Sequence, residues 1–288
     1  MPEAEIPDTR WAELGVFEPL DLVDATAELH WAIQLLASAG QTFAEPSGDD
    51  RHRAVVWAAE LSAFVGAPFA AAYPLRVAIR PADLTLLILD RTGEAVAVLP
   101  LPGESLDEAH EWIGLAAATY LGGAPPLLER PEYDMPVHPL QNGARFSTAI
   151  RPELGALAAL YGSAAEMIET VVSERSDASD ILCWPHHFDI ASLLTVQRDQ
   201  DGEATKTIGV GLAPAGAGIS TWYWYVSPWP APDPAALPPL DVGGWSAGEW
   251  TGAVLEGEAV TALPPAERAE AVRAFLRSAI EASFTALG

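Results

Sequence analysis

The sequence predicts an α+β fold, mainly antiparallel β-sheet with helices packed on it. Three observations predict it: long segments with apolar residues at helical spacing, clusters of short Val-, Ile- and Leu-rich runs separated by turn residues, and an order of helices, strands and helix that occurs twice. Half of the 288 residues are apolar, enough to bury a large core in a single globular unit.

The first helix is expected over Leu22 to Ala39, with Leu29, Ile33 and Leu36 at helical spacing and Gly40 placed to end it. A second is expected from Arg51 to Val65, ending at Gly66, after an exposed loop over 45–50. Alternating runs at Arg76 to Ile79, Leu84 to Leu89 and Ala95 to Leu99 read as a meander of antiparallel strands. Ser105 followed by Glu108 fits a capping box, opening a helix through Tyr120 that stops at Gly122-Gly123, with His110 on its polar side.

Residues 124–151 carry Pro125, Pro126, Pro131, Pro136 and Pro139, so regular structure should not persist across them. They form the best internal boundary, joining possible pseudo-repeat halves at 1–123 and 152–288. Pro152 suits the first turn of a helix running to Val172. Strands are expected at Asp189 to Gln197, Thr205 to Leu212, Thr221 to Val226 and Thr251 to Leu255, and a last helix over Ala266 to Ala286. If the halves are related, a ligand would favour the cleft between them.

Composition narrows the function. With 40 acidic against 15 basic residues the net charge is −25, a field that repels nucleic-acid backbones and anionic membrane surfaces. Lys206 is the only lysine and lacks the neighbours of a phosphate-binding loop. One cysteine, Cys183, and an acidic amino terminus in place of a secretory signal point to a cytoplasmic protein. No transmembrane stretch is expected.

The densest chemistry is Trp184-Pro185-His186-His187-Phe188-Asp189. On a strand, His187 and Asp189 share a face about 7 Å apart and could converge on one cation. A loop histidine, His138, makes a third ligand, with Asp134 beside it in sequence as another candidate. His138, His187 and Asp189 with a water would suit a divalent metal such as zinc, iron or manganese, and His187 and Asp189 would then be the catalytic pair of a hydrolase-type site. The alternative is structural: histidines bonding backbone groups at a strand end, with Asp189 capping a turn.

The aromatic run Trp222, Tyr223, Trp224 and Tyr225 alternates across a strand, so one pair can wall a small-molecule pocket while the other enters the core. Packing of both pairs in the core is the plainer alternative. Gly244-Trp245-Ser246-Ala247-Gly248 spells a nucleophile elbow, but no histidine follows His187, against the order of that triad. Gly209-Val210-Gly211 fails as a dinucleotide fingerprint because Pro214 stands at the sixth position. His30 and His52 read as structural or solvated.

Taken in order, Glu28-Leu29-His30-Trp31, the Phe188-Asp189 pair opening a strand, Gly209-Val210-Gly211 leading to Trp222-Tyr223-Trp224-Tyr225-Val226, Pro228-Trp229-Pro230, and Phe275-Leu276-Arg277-Ser278 resemble a bacterial domain of unknown function, DUF5996. The resemblance spans most of the chain and implies no established activity. In relatives, other residues can stand where His186 and His187 do while the Phe-Asp pair is kept, which favours Asp189 over either histidine. The function expected is small-molecule binding with an aromatic-lined pocket, joined to metal-dependent hydrolysis if the metal set assembles. The competing class is a non-enzymatic binding or interaction protein with structural histidines.

Overall fold

A computed structural model of the chain describes residues 10–247 and 250–288. The acidic terminus and Gly248 lie outside the described residues. Helices are α1 (Arg10–Glu13), α2 (Val23–Phe43), α3 (Leu106–Leu121), α4 (Arg151–Val172), α5 (Gly257–Thr261) and α6 (Pro265–Leu287). Strands are β1 (Val56–Ala58), β2 (Ala63–Val65), β3 (Arg76–Arg80), β4 (Thr85–Leu89), β5 (Ala95–Pro100), β6 (Leu182–Trp184), β7 (Asp189–Arg198), β8 (Ala204–Ala213), β9 (Tyr223–Trp229), β10 (Gly244–Ala247) and β11 (Thr251–Glu256). Two sheets whose ladders are antiparallel, with helices beside them, make this the α+β class that the alternation of textures predicts. Among the described residues no helix is long and apolar enough to cross a membrane.

The chain folds as two compact units. The first holds Asp24–Ala158 and Leu182–Phe188; the second holds residues 10–23 with Ala159–Ile181 and Asp189–Gly288. The proline-rich 124–151, expected as a connector between halves, lies wholly inside the first unit. Side chains of α2 explain why: Thr42 Oγ1 accepts the Glu129 N–H at 2.8 Å, Trp31 Nε1 donates to Pro136 O at 2.9 Å, and Glu28 Oε1 accepts the Ser147 N–H at 2.6 Å. Prolines lack the N–H that a ladder uses, so this proline-rich backbone satisfies its polar groups on a helix instead.

In the first unit β1 to β5 form a meander in sequence order. The helix expected over Arg51 to Val65 is instead the hairpin β1–β2, with Val56 opposite Val65 and Trp57 opposite Phe64. Its β-branched and aromatic residues suit a ladder, and Val65 pairs onward with Ala78 in β3. The reversal uses Ser62 at φ 47°, without glycine or proline to announce it. Gly40 does not end α2, which runs on to Phe43. A Cβ there would lie 2.0 Å from His52 O, so the glycine permits close backbone approach within the helix. The capping box forms as expected: Ser105 N donates to Glu108 Oε2 at 2.8 Å, and Glu108 N donates to Ser105 Oγ at 3.3 Å.

In the second unit the strands run β10-β11-β9-β8-β7, all antiparallel. One face is apolar and buried, with Ile190, Leu194, Val210, Leu212, Trp224 and Leu255. Phe275, Leu276, Ala279 and Ile280 of α6 are buried, and α6 packs on β8, β9 and β11. Arg268 at the start of α6 is buried and donates to Trp11 O, Leu263 O and Thr261 O at 2.6, 3.0 and 3.0 Å. Gly244–Ala247 is strand β10, not the strand-to-helix turn that a nucleophile elbow needs.

Candidate functional site

The 184–189 stretch is not one strand. β6 ends at Trp184, and residues 185–188 form a turn in which the N–H groups of His187 and Phe188 donate to Trp184 O at 3.2 and 2.7 Å. Phe188 takes φ 57° and is fully buried, its ring 5.1 Å from the stacked His30 ring and 5.8 Å from Phe64. Burial pays for the left-handed backbone of this bulky residue. Pro185 O receives Gln34 Nε2 at 2.8 Å and lies 2.7 Å from His30 Nε2. Burial pushes the His30 pKa down to about 4, against its bond to Pro185. His30 is therefore a neutral donor at pH 7, in the structural role its position suggests.

The turn removes the alternation that put His187 and Asp189 on one face. His187 is exposed, its ring 4.3 Å from that of His186, which also meets Tyr133 and Trp184. Asp189 opens β7 in the second unit and accepts the Tyr225 hydroxyl at 2.6 Å. Among the described residues no three His, Cys, Asp or Glu side chains are grouped so that they could hold a metal ion. The expected set of His138, His187 and Asp189 is thus not assembled, and zinc, iron or manganese finds no such donor group; Asp134 adds none.

The aromatic run does alternate. Trp222 and Trp224 are buried, Trp224 stacking on Trp11 with centroids 6.5 Å apart. On the other face Tyr223 is buried and Tyr225 half-buried, packed with Ala213, Val254, Ile219 and Trp250. Burial first, and the Asp189 charge second, raise the Tyr223 phenol above its ordinary value. Gly211 makes room for this arrangement: a Cβ there would sit 2.8 Å from the Tyr225 ring. Tyr225 with Asp189 is the part of this run that keeps a polar group and partial exposure together.

The first unit brings together a different pair. His138 caps a short 3-10 turn over Pro139–Asn142, its Nδ1 facing the Leu140 N–H at 3.4 Å. That contact favours the tautomer with its proton on Nε2, which lies 3.9 Å from Glu28 Oε2. The separation is too long for a hydrogen bond. Burial raises the Glu28 carboxyl, opposed by the Ser147 N–H, and burial lowers the His138 imidazole, opposed by Asp24. Both groups are pushed toward their uncharged forms, leaving them poised rather than locked as an ion pair. His138 lines a cavity of about 570 Å³ with Val137, Gln141, Asn142 and Ala144.

Behind the pair, α2 buries more polar groups. Ser38 Oγ donates to Gln34 O at 2.8 Å and faces His110 Nε2 at 3.1 Å, while His110 Nδ1 lies 2.7 Å from Leu106 O. His110, expected on a polar side, is buried because its two nitrogens find partners inside; burial brings its pKa down to about 4. His52 is also buried, beside Ser47, in a turn rather than at a helix start.

Glu28 is the residue that sequence reasoning missed. A signal existed: α2 is apolar almost all round, as a buried helix is, so its Glu28, Gln34 and Ser38 had to find internal partners. No protein-family model, curated protein or solved structure matches this chain.

Proposed function

We propose that this protein binds a small polar molecule in the cavity at residues 137–144, and that His138, backed by Glu28, exchanges a proton with it. The observation that carries this reading is the buried Glu28 carboxyl, 3.9 Å from His138 Nε2 in the cavity wall. A carboxyl that burial shifts toward its uncharged form, 3.9 Å from a second proton carrier, suits general acid–base work. The amide side chains of Gln141 and Asn142 supply polar orientation. The motif order that resembles DUF5996 supports membership of that family, and the lone, buried Cys183 fits a cytoplasmic setting.

One observation favours binding without chemistry: the Leu140 N–H occupies His138 Nδ1, a structural use of the ring. Nuclear magnetic resonance with a set of neutral polar fragments separates the readings. Saturable shifts confined to residues 137–144 are expected, with Glu28→Gln moving the His138 titration midpoint and weakening the fragments. Binding indifferent to Glu28→Gln supports the binding-only reading. Shifts nowhere near this loop reject both.

A further inference from the structure

A separate cavity in the first unit, about 470 Å³, is lined by residues of β1, β2, the reversal between them, the start of β3 and the turn after β4. Its size suits a small organic ligand. The floor is apolar: Val65 and Leu89 belong to a buried cluster with Ala78 and Leu87, and Leu61 packs against that cluster. At one end stand two arginines. Arg76 faces Leu89 across the β3–β4 ladder, and Arg91 enters the turn two residues after Leu89.

Seven of the chain's fourteen arginines pair with carboxylates, and these two are not among them. Arg10, Arg51, Arg53, Arg80, Arg130, Arg145 and Arg273 each hold a carboxylate within 4.0 Å, as expected where acidic residues outnumber basic ones 40 to 15. Among the described residues neither the Arg76 nor the Arg91 side chain makes an ion pair or a hydrogen bond.

Two acids also line the cavity, and neither closes on the arginines. Asp90 Oδ1 is turned into its own loop, accepting the Thr92 N–H, the Thr92 hydroxyl and the Glu94 N–H at 2.8, 2.6 and 3.1 Å. Those bonds, the Thr92 hydroxyl first, hold its pKa low; the neighbouring Arg91 charge adds least. Glu60 sits in the β1–β2 reversal. Since Val65 pairs with Ala78 and Phe64 with Ile79, the reversal lies toward the Arg80 end of β3. That is four residues from Arg76, roughly 13 Å of strand.

We propose that this groove binds an amphipathic organic carboxylate, its apolar body over Val65, Leu89 and Leu61 and its head at the Arg76–Arg91 end. Guanidinium groups recognise carboxylates through paired N–H donors, and covering the floor removes apolar surface from water. At the arginine end two guanidinium groups outnumber the Asp90 carboxylate, and Glu60 at the opposite end disfavours the reversed orientation. The site is independent of the Glu28–His138 reading, which can fail without affecting it.

The test is calorimetry with octanoate, octanamide and octylammonium, each below its micelle concentration, on the full chain. Octanoate should bind saturably, octanamide about tenfold more weakly and octylammonium more weakly still. Arg76→Gln and Arg91→Gln, both at exposed positions, should each weaken octanoate several-fold and leave octanamide unchanged, with circular dichroism confirming the fold. Leu61→Ser should weaken octanoate and octanamide alike. Octanoate binding no tighter than octanamide, preferred binding of octylammonium, no binding at all, or a double Arg76→Gln, Arg91→Gln variant that binds octanoate normally would each overturn the proposal.

Discussion

In the second unit α6 buries Val272, Phe275, Leu276, Ala279 and Ile280, and its buried polar residues bond helix backbone: Arg268 holds carbonyls of Trp11 in α1 and of Thr261 and Leu263 at and just after the end of α5, and Ser283 donates to Ala279 O one turn back. In the first unit α2 is the more apolar helix, yet it buries Glu28, His30, Gln34 and Ser38. Those side chains reach far along the sequence, to Ser147, to Pro185 and to His110. The difference separates structure from site. Buried polar groups that tie neighbouring helices together add rigidity, whereas ones that hold irregular loops fix those loops where a ligand can meet them.

The largest test of this contrast removes one fully buried ring from each unit. Trp224→Ala and Phe188→Ala should each cost about 3–5 kcal/mol, read from urea denaturation. A Phe188→Ala cost below about 1 kcal/mol would mean that the 185–188 turn is peripheral and that α2 anchors less than its contacts imply.

A second test is acid. His30 and His110 belong to the first unit, and burial brings both down to about 4. An unfolded histidine takes its proton near 6.5, so between about 6.5 and about 4 the unfolded chain binds protons that the folded one refuses. The stabilisation is complete above that window and is lost as pH falls through it, by up to about 1.4 kcal/mol per pH unit for each histidine. Comparing wild type with His110→Gln in urea at pH 7 and pH 4.5 isolates the effect from the many carboxylates. Equal pH dependence in the two proteins would show that His110 is protonated in the fold.

The smallest test sharpens the second unit. Tyr225→Phe deletes the hydroxyl that Asp189 accepts and leaves the ring over Gly211. A loss of about 1 kcal/mol in thermal or urea unfolding is expected, because the pair is half-exposed. A gain in stability would mark Asp189 and Tyr225 as held together at a cost, as a binding site can be.

Much of the fold was legible because local signals agreed with tertiary demands. Alternation located β3 to β5 and β7 to β9, the Ser105–Glu108 box located the start of α3, and Pro152 fell one residue inside α4. Where the two disagreed, reading failed. Residues 51–65 carry apolar spacing that a helix could use, yet pairing of Val65 with Ala78 decides for a hairpin. Pro185 leaves the segment after Trp184 irregular, as a proline can, but the positive φ of Phe188 that closes the turn has no signal in a bulky aromatic residue. The candidate site was half legible: His138 was chosen for its loop, but Glu28 lies 110 residues earlier, and no periodicity relates the two.

The three bonds that hang residues 129–147 on α2 also divide that segment into a taut part and a slack one. Thr42 and Trp31 are eleven helical residues apart, about 16 Å of rise, and the chain from Glu129 to Pro136 must cover that span with seven residues. Trp31 and Glu28 are only about 4.5 Å apart along the axis, while Pro136 to Ser147 offers eleven residues, up to roughly 36 Å of reach. The surplus length has to loop outward, and it does so at His138. The cavity is the shape that this longer stretch takes between two closely set anchors, with Leu140 and Phe146 buried to hold it.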